Sequence, residues 1–294
     1  MSATTLPTPA RSRSSGPLLT FPASLVVLMI IIVPVLILFR YSFNQYDPIE
    51  LMRSAFTLEN YGKFFGDAYY RNVFFTTLWV AALCTGLALV LGFPVAYFLA
   101  KTQSRFKSLF VILLVFPLMV GNVVRAAGWM IVFGNAGALN AVFLALGISD
   151  QPVRMLYTPL AVIVGTTAVV MPYMILTLQS VLEGIDFAVE EAAQVLGADF
   201  FTTFRRIVLP IAAPGVAAGT MLVFILCMNA YATPVLLGGS GITMMAPALY
   251  EQINKASNWP FGAALALVLV IGTLAMALLS NWLIHRRYAK TMAS

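Results

Sequence analysis

No charged residue occurs between Arg71 and Lys101, and that run is apolar almost throughout. A water-soluble domain has no place for such a stretch, whereas a bilayer takes up about 20 apolar residues per helical crossing. The pattern recurs along the chain and predicts spans at about 18–39, 73–100, 109–133, 157–182, 211–237 and 261–284. Composition agrees: 61% of the 294 residues are hydrophobic and 10% are charged, against about 25% charged in a soluble domain. The fold class is therefore all-α, a polytopic membrane protein with six transmembrane helices in one domain, 18–284. Residues 1–17, rich in Ser, Thr and Pro, read as a disordered cytoplasmic lead-in. Residues 285–294 read as a cytoplasmic tail. The first apolar run outlasts a secretory core and ends at Phe39-Arg40, with no small-residue cleavage site, so it reads as an uncleaved anchor. A weak apolar helix at 139–146 is too short to cross and is expected to be interfacial or re-entrant.

The net charge of +6 does not point to nucleic acid, because the basic residues lie at span ends rather than in one patch. With the N-terminus inside, Arg11, Arg13, Lys101, Arg105, Lys107, Arg205, Arg206, Arg286, Arg287 and Lys290 are cytoplasmic. Arg40, Arg53, Lys63, Arg71, Arg154 and Lys255 are outside. The excess places both termini in the cytoplasm. Cys84 and Cys227 sit in apolar runs and His285 is the sole histidine, so neither a tetrahedral metal site nor a disulfide framework is expected.

The segment 183–210 is the most informative. Ala192, Ala193, Gln194 and Leu196 favour a helix, and Gly197 is placed to end it in the left-handed conformation. Asp199 can cap a second short helix, on which Phe200, Phe204 and Ile207 form one apolar stripe with Arg205 and Arg206 off it. Pro210 is expected to open the fifth span. The pattern alone fits two readings: a knob for a groove on a soluble partner, or an amphipathic loop lying on the membrane.

The series Glu191-Ala192-Ala193, three residues, Gly197, nine residues, Ile207-x-Leu209-Pro210 resembles the signature loop of ABC importer permeases. Four further segments are similar to polyamine-type permeases and resemble the first of the two permeases in spermidine/putrescine importers. They are Thr57-Leu58-Glu59-Asn60-Tyr61, Val124-Arg125, Gly137-Ala138-Leu139-Asn140 and Asn258-Trp259-Pro260-Phe261-Gly262. The resemblance implies the type I importer permease fold in a bacterial inner membrane. It implies that Glu191, Ala192, Ala193, Gly197, Ile207, Leu209 and Pro210 couple to an ATPase, with Phe200 and Phe204 as the apolar face. The implied partners are a second permease, two ATPase subunits that use ATP and Mg, and an extracytoplasmic solute-binding protein. The implied solute is a polyamine or a related cation. A permease of the same family for another small solute is the alternative, with an ATP-independent secondary transporter behind it.

The residues bear on the energy source independently. The chain has no G-x-x-x-x-G-K-[ST] phosphate loop, and Gly62-Lys63 is only a fragment of one. It has neither H-E-x-x-H nor G-x-S-x-G, so it is read as a transport subunit and not an enzyme. All eleven acids fall outside the six spans, whereas a proton-coupled carrier usually carries one within. Candidates for the solute path are Arg125 with Trp129 a turn further on, Tyr173 beside Pro172, Gln179, and Asn229 and Tyr231 ahead of Pro234. An arginine inside a span marks a functional position by default, and snorkelling to the interface is its simpler explanation.

Overall fold

The computed structural model describes residues 16–292. The lead-in expected over 1–17 therefore lies almost wholly outside the described residues, as do the last two positions. The described chain is helical, and an isolated bridge between Gln45 and Arg53 is its one β feature. Six segments are long and apolar enough to cross a membrane: Ser24–Ser42, Ala68–Lys101, Asn122–Ala145, Pro159–Leu182, Phe200–Met228 and Trp259–Leu279.

Helix α1 (Gly16–Ser42) lies against the last helix and leaves the apolar side chains between Leu25 and Phe39 uncovered, Ile30 at 68% exposure among them. Surface of that kind belongs against lipid rather than water. Helix α2 (Glu59–Gly66) is pinned beneath it, because Asn60 Nδ2 donates to the carbonyls of Ser42 and Asn44. Helix α3 (Ala68–Lys101) is capped by Asp67, whose carboxylate accepts from Tyr69 N–H.

The third span departs from expectation. The stretch 109–133 is two helices, α4 (Lys107–Met119) and α5 (Asn122–Phe133). Pro117 cannot donate to the preceding turn, and its carbonyl instead closes a tight turn with Val120 N–H at 3.2 Å. Gly121 then leaves helical geometry and its carbonyl starts α5. Helix α6 (Ala138–Ala145) covers the weak apolar stretch. Only the tight turn Gly134–Gly137 separates it from α5, so the two together make the third membrane-length segment. Asn140 secures the turn, donating to Gly134 O and Val153 O and accepting from Val153 N–H.

Helix α7 (Pro159–Leu182) follows, then α8 (Ala188–Val195) and α9 (Phe200–Thr203). A π turn at Phe204–Val208 joins α9 directly to α10 (Leu209–Met228). The fifth span thus begins at Phe200, ten residues before Pro210, and not at Pro210 as expected. In the wider turn Leu209 N–H, the last donor before the proline, reaches back to Phe204 O. Helix α10 ends at Asn229, a second π turn covers Pro234–Gly238, and α11 (Met245–Asn254) and α12 (Trp259–Met292) complete the chain.

Helices α3, α7 and α10 form the centre. Small residues let their backbones approach, as membrane helices require in the absence of a hydrophobic drive between them: a Cβ on Gly92 would lie 3.2 Å from Ile175. Val80, Cys84, Met174, Leu178 and Cys227 are fully buried between them.

Candidate coupling loop and membrane cavity

The loop projects from the end of the bundle where α3 stops and α4 begins. Lys107 Nζ meets Glu183 Oε1 at 2.7 Å, and Lys101 Nζ meets Glu190 Oε1 at 3.0 Å. Glu183 also accepts from Gln179, and that amide together with the Lys107 ammonium holds its carboxyl below the usual range.

Within the loop the local expectations have a physical counterpart. Gly197 has φ +87°, the left-handed turn that ends α8, and a Cβ there would meet nothing within 4 Å. Asp199 accepts from Thr202 N–H and starts α9, and the Thr202 hydroxyl, followed by that N–H, holds its carboxyl below the usual range. Glu191, Ala192, Val195 and Leu196 face outward, the last two at 87% and 88% exposure. Phe200 and Phe204 lie on one side of the turn, their rings stacked with centroids 6.3 Å apart. Phe204 is the half-buried member of the pair, edge-on to Phe93 with centroids 5.2 Å apart, and Phe200 is the exposed one. Ile207, Leu209 and Pro210 are half-buried at the base, and Arg205 and Arg206 point outward.

Further along the bundle, a cavity of about 410 Å³ lies between α5, α7 and the break after α10. Its polar lining consists of Asn122, Thr166, Tyr173, Asn229, Tyr231 and Thr233, with no carboxylate. Three of the six path candidates, Tyr173, Asn229 and Tyr231, thus meet at one place. The helix breaks there because Asn229 ends α10, its own amide donating to Ile225 O at 2.9 Å. Thr166 is buried at 2% exposure and its hydroxyl has no hydrogen-bond partner among the described residues. A buried hydroxyl facing a cavity without a partner is costly unless something in the cavity bonds it.

The other candidates separate. Arg125 donates to Asn122 Oδ1 at the cavity's edge, and its Nε and Nη1 are enclosed without partners among the described residues. Trp129 stacks on Phe133 at 5.1 Å and lines a different, apolar cavity with Pro117 and Pro172. Gln179 lies at the loop end of α7 and does not reach the polar cavity. Sequence reasoning missed Asn122 and Thr166, which only the facing of α5 and α7 brings into the lining. It also missed Glu190, which only the rotation of α8 against α3 buries.

A helical membrane bundle with a docking-type loop at one end and a partly open cavity with a polar lining has the architecture of a membrane permease. The chain belongs to the family described as binding-protein-dependent transport system inner membrane component, whose model matches residues 88–287. It is a permease subunit of an ABC importer, a class that works with a second permease, ATPases and a binding protein. Among its relatives is the spermidine/putrescine transport system permease protein PotB. The Salmonella typhimurium (strain SL1344) protein is 33% identical over 267 residues, 91% of this chain and 92% of its own. The Escherichia coli K12 protein is 34% identical over 256 residues, 87% and 92%. The inner membrane ABC transporter permease protein YdcU of Escherichia coli K12 is 30% identical over 229 residues, 73% and 72%. A chain of the bacterial alginate ABC transporter, crystallised with its alginate pentasaccharide-bound periplasmic protein, shares the fold. Its TM-score is 0.76 at 15% identity, covering 93% of this chain and 96% of that one.

Two of the segments that carried the family resemblance are structural fasteners. Asn60 and Asn140 each satisfy two backbone carbonyls.

Proposed function

We propose that this chain forms half of the translocation path of a polyamine importer in a bacterial inner membrane, with both termini and the 183–210 loop cytoplasmic. The observation that carries the reading is the loop itself. Glu191, Ala192, Val195 and Leu196 present an uncovered, mostly apolar face that ends in the left-handed turn at Gly197. Such a face suits a groove on a soluble subunit. Two separate ATPase subunits burn Mg-ATP, and the chain contributes no nucleotide site of its own. Closure of the ATPase pair draws the loops of the two permeases together, and the spans turn about the solute.

The polyamine assignment rests on the named relatives together with the cavity. Tyrosine faces, carboxamides and hydroxyls attract ammonium groups without a fixed counter-charge, each cation–π contact contributing roughly 0.5–2 kcal/mol. Release on the far side is then easy, and selective capture falls to the binding protein. The test is ATP-dependent uptake of radiolabelled spermidine by the complete importer in proteoliposomes, with thiol labelling of a Gly197→Cys variant for sidedness. Uptake with labelling from the cytoplasmic face is expected. Labelling from the outer face would end the ATPase-coupled reading, and uptake that ignores ATP would return the secondary transporter.

A further inference from the structure

Glu190 and Glu191 are neighbours on α8 and face different surroundings, since consecutive residues on a helix project about 100° apart. Glu191 is exposed. Glu190 is 3% exposed, and its two oxygens share the single Tyr97 hydroxyl proton, each 2.7 Å from the phenol oxygen, while one also accepts from Lys101 Nζ at 3.0 Å. The Lys101 ammonium lies 5.7 Å from the ring centroids of both Tyr97 and Phe187, and those two rings meet edge-on. Among the described residues, these are the only side-chain hydrogen bonds that join α8 to another helix. They run to α3, not to α7 or α10, the helices that flank the loop in sequence.

The rest of α3 gives this attachment reach. At about 1.5 Å per residue its 34 residues span about 50 Å. Near the opposite end, Thr77 Oγ1 accepts from Met245 N–H at 2.8 Å and so holds α11. That helix carries Tyr250, whose ring lies 4.9 Å from Tyr231 at the polar cavity.

We propose that Glu190 is the positioning residue that fixes the coupling helix to α3, so that a displacement of α8 drives this span. Without it the displacement is taken up in the connections at Gly184 and Gly197. The two glutamates then divide the work: Glu191 faces the ATPase and Glu190 holds the bundle. The inference rests on the reading of 183–210 as the ATPase-docking loop. Lys101 is 43% exposed, so a glutamine at 190 strands no buried charge, and the chain is expected to fold.

The experiment uses the complete importer in proteoliposomes and measures radiolabelled spermidine moved per ATP hydrolysed. In Glu190→Gln the ATPase subunits stay bound and hydrolysis continues. The transport-to-hydrolysis ratio falls about tenfold, the size of losing one charge-assisted bond. Lys101→Met lowers the ratio in the same direction, and the exchanged pair Glu190→Lys with Lys101→Glu restores at least half of it. A purely structural role would instead lower the amount of assembled complex and leave the ratio of the survivors unchanged. That result, or an exchanged pair no better than the single variants, overturns the proposal. If Glu190→Gln does not assemble, Tyr97→Phe removes only the hydroxyl bonds. A wild-type ratio in both Tyr97→Phe and Lys101→Met is then the overturning result. Failure of the underlying reading looks different: the wild-type chain itself retains no ATPase.

Discussion

Gly215 of α10 and Val181 of α7 pack so closely that a Cβ on the glycine would lie 2.7 Å from the valine Cβ and 2.8 and 2.9 Å from its two methyls. No flexible side-chain end is there to yield, so the two central helices would have to part. Gly215→Ala is expected to destabilise the protein by about 1–3 kcal/mol, the range for overpacking a filled core, read as a lower unfolding temperature in detergent. Gly62→Ala is the control. Its Cβ meets nothing within 4 Å inside α2, so it should be neutral or gain about 0.5–1 kcal/mol.

Gly197→Val tests the loop by a different physical route. Space is open around the position, so the strain comes only from φ +87°, a conformation that costs a β-branched residue about 1–3 kcal/mol. Membrane insertion should be unchanged while ATPase retained on co-purification drops about fivefold to a hundredfold. Gly197→Asn should lose less, since asparagine tolerates that region. Full retention by the valine variant would remove Gly197 from the docking surface.

Tyr231 tests the cavity. Tyr231→Ala removes one ring face and should raise the spermidine concentration for half-maximal uptake between about twofold and thirtyfold, the range of one cation–π contact. Tyr231→Phe keeps the face and should leave that concentration near wild type. Equal values for alanine and wild type would take Tyr231 off the path.

The Lys107–Glu183 bridge gives a pH dependence of definite sign. The folded-state pKa of Glu183 is lowered from 4.5 by Gln179 and then Lys107. Its stabilisation is therefore fully present above 4.5 and is lost as pH falls through the lowered value. Hydrogen exchange at the amides of Gly184 and Ile185, which bond to Val181 O and Leu182 O, should keep constant protection from pH 7 to pH 5. It should weaken only below 4.5, after correction for intrinsic rates. Glu183→Gln should flatten the profile, and an unchanged profile in that variant would assign the effect elsewhere.

The membrane class, the helix-rich fold and the turn at Gly197 with its Asp199 cap were legible in the sequence, because hydropathy over a span and the φ of a glycine are local properties. Tertiary structure decided the rest. It split 109–133 at Pro117 and Gly121, and it ran the fifth span back to Phe200 through a π turn. It also brought Tyr173, Asn229 and Tyr231 together with Asn122 and Thr166, left Gln179 and Trp129 elsewhere, and turned Glu190 rather than Glu191 toward Tyr97 and Lys101. Those outcomes depend on how each helix is rotated against its neighbours. Nearly uniform apolar faces leave that rotation unspecified until the small residues and the few polar groups find their partners.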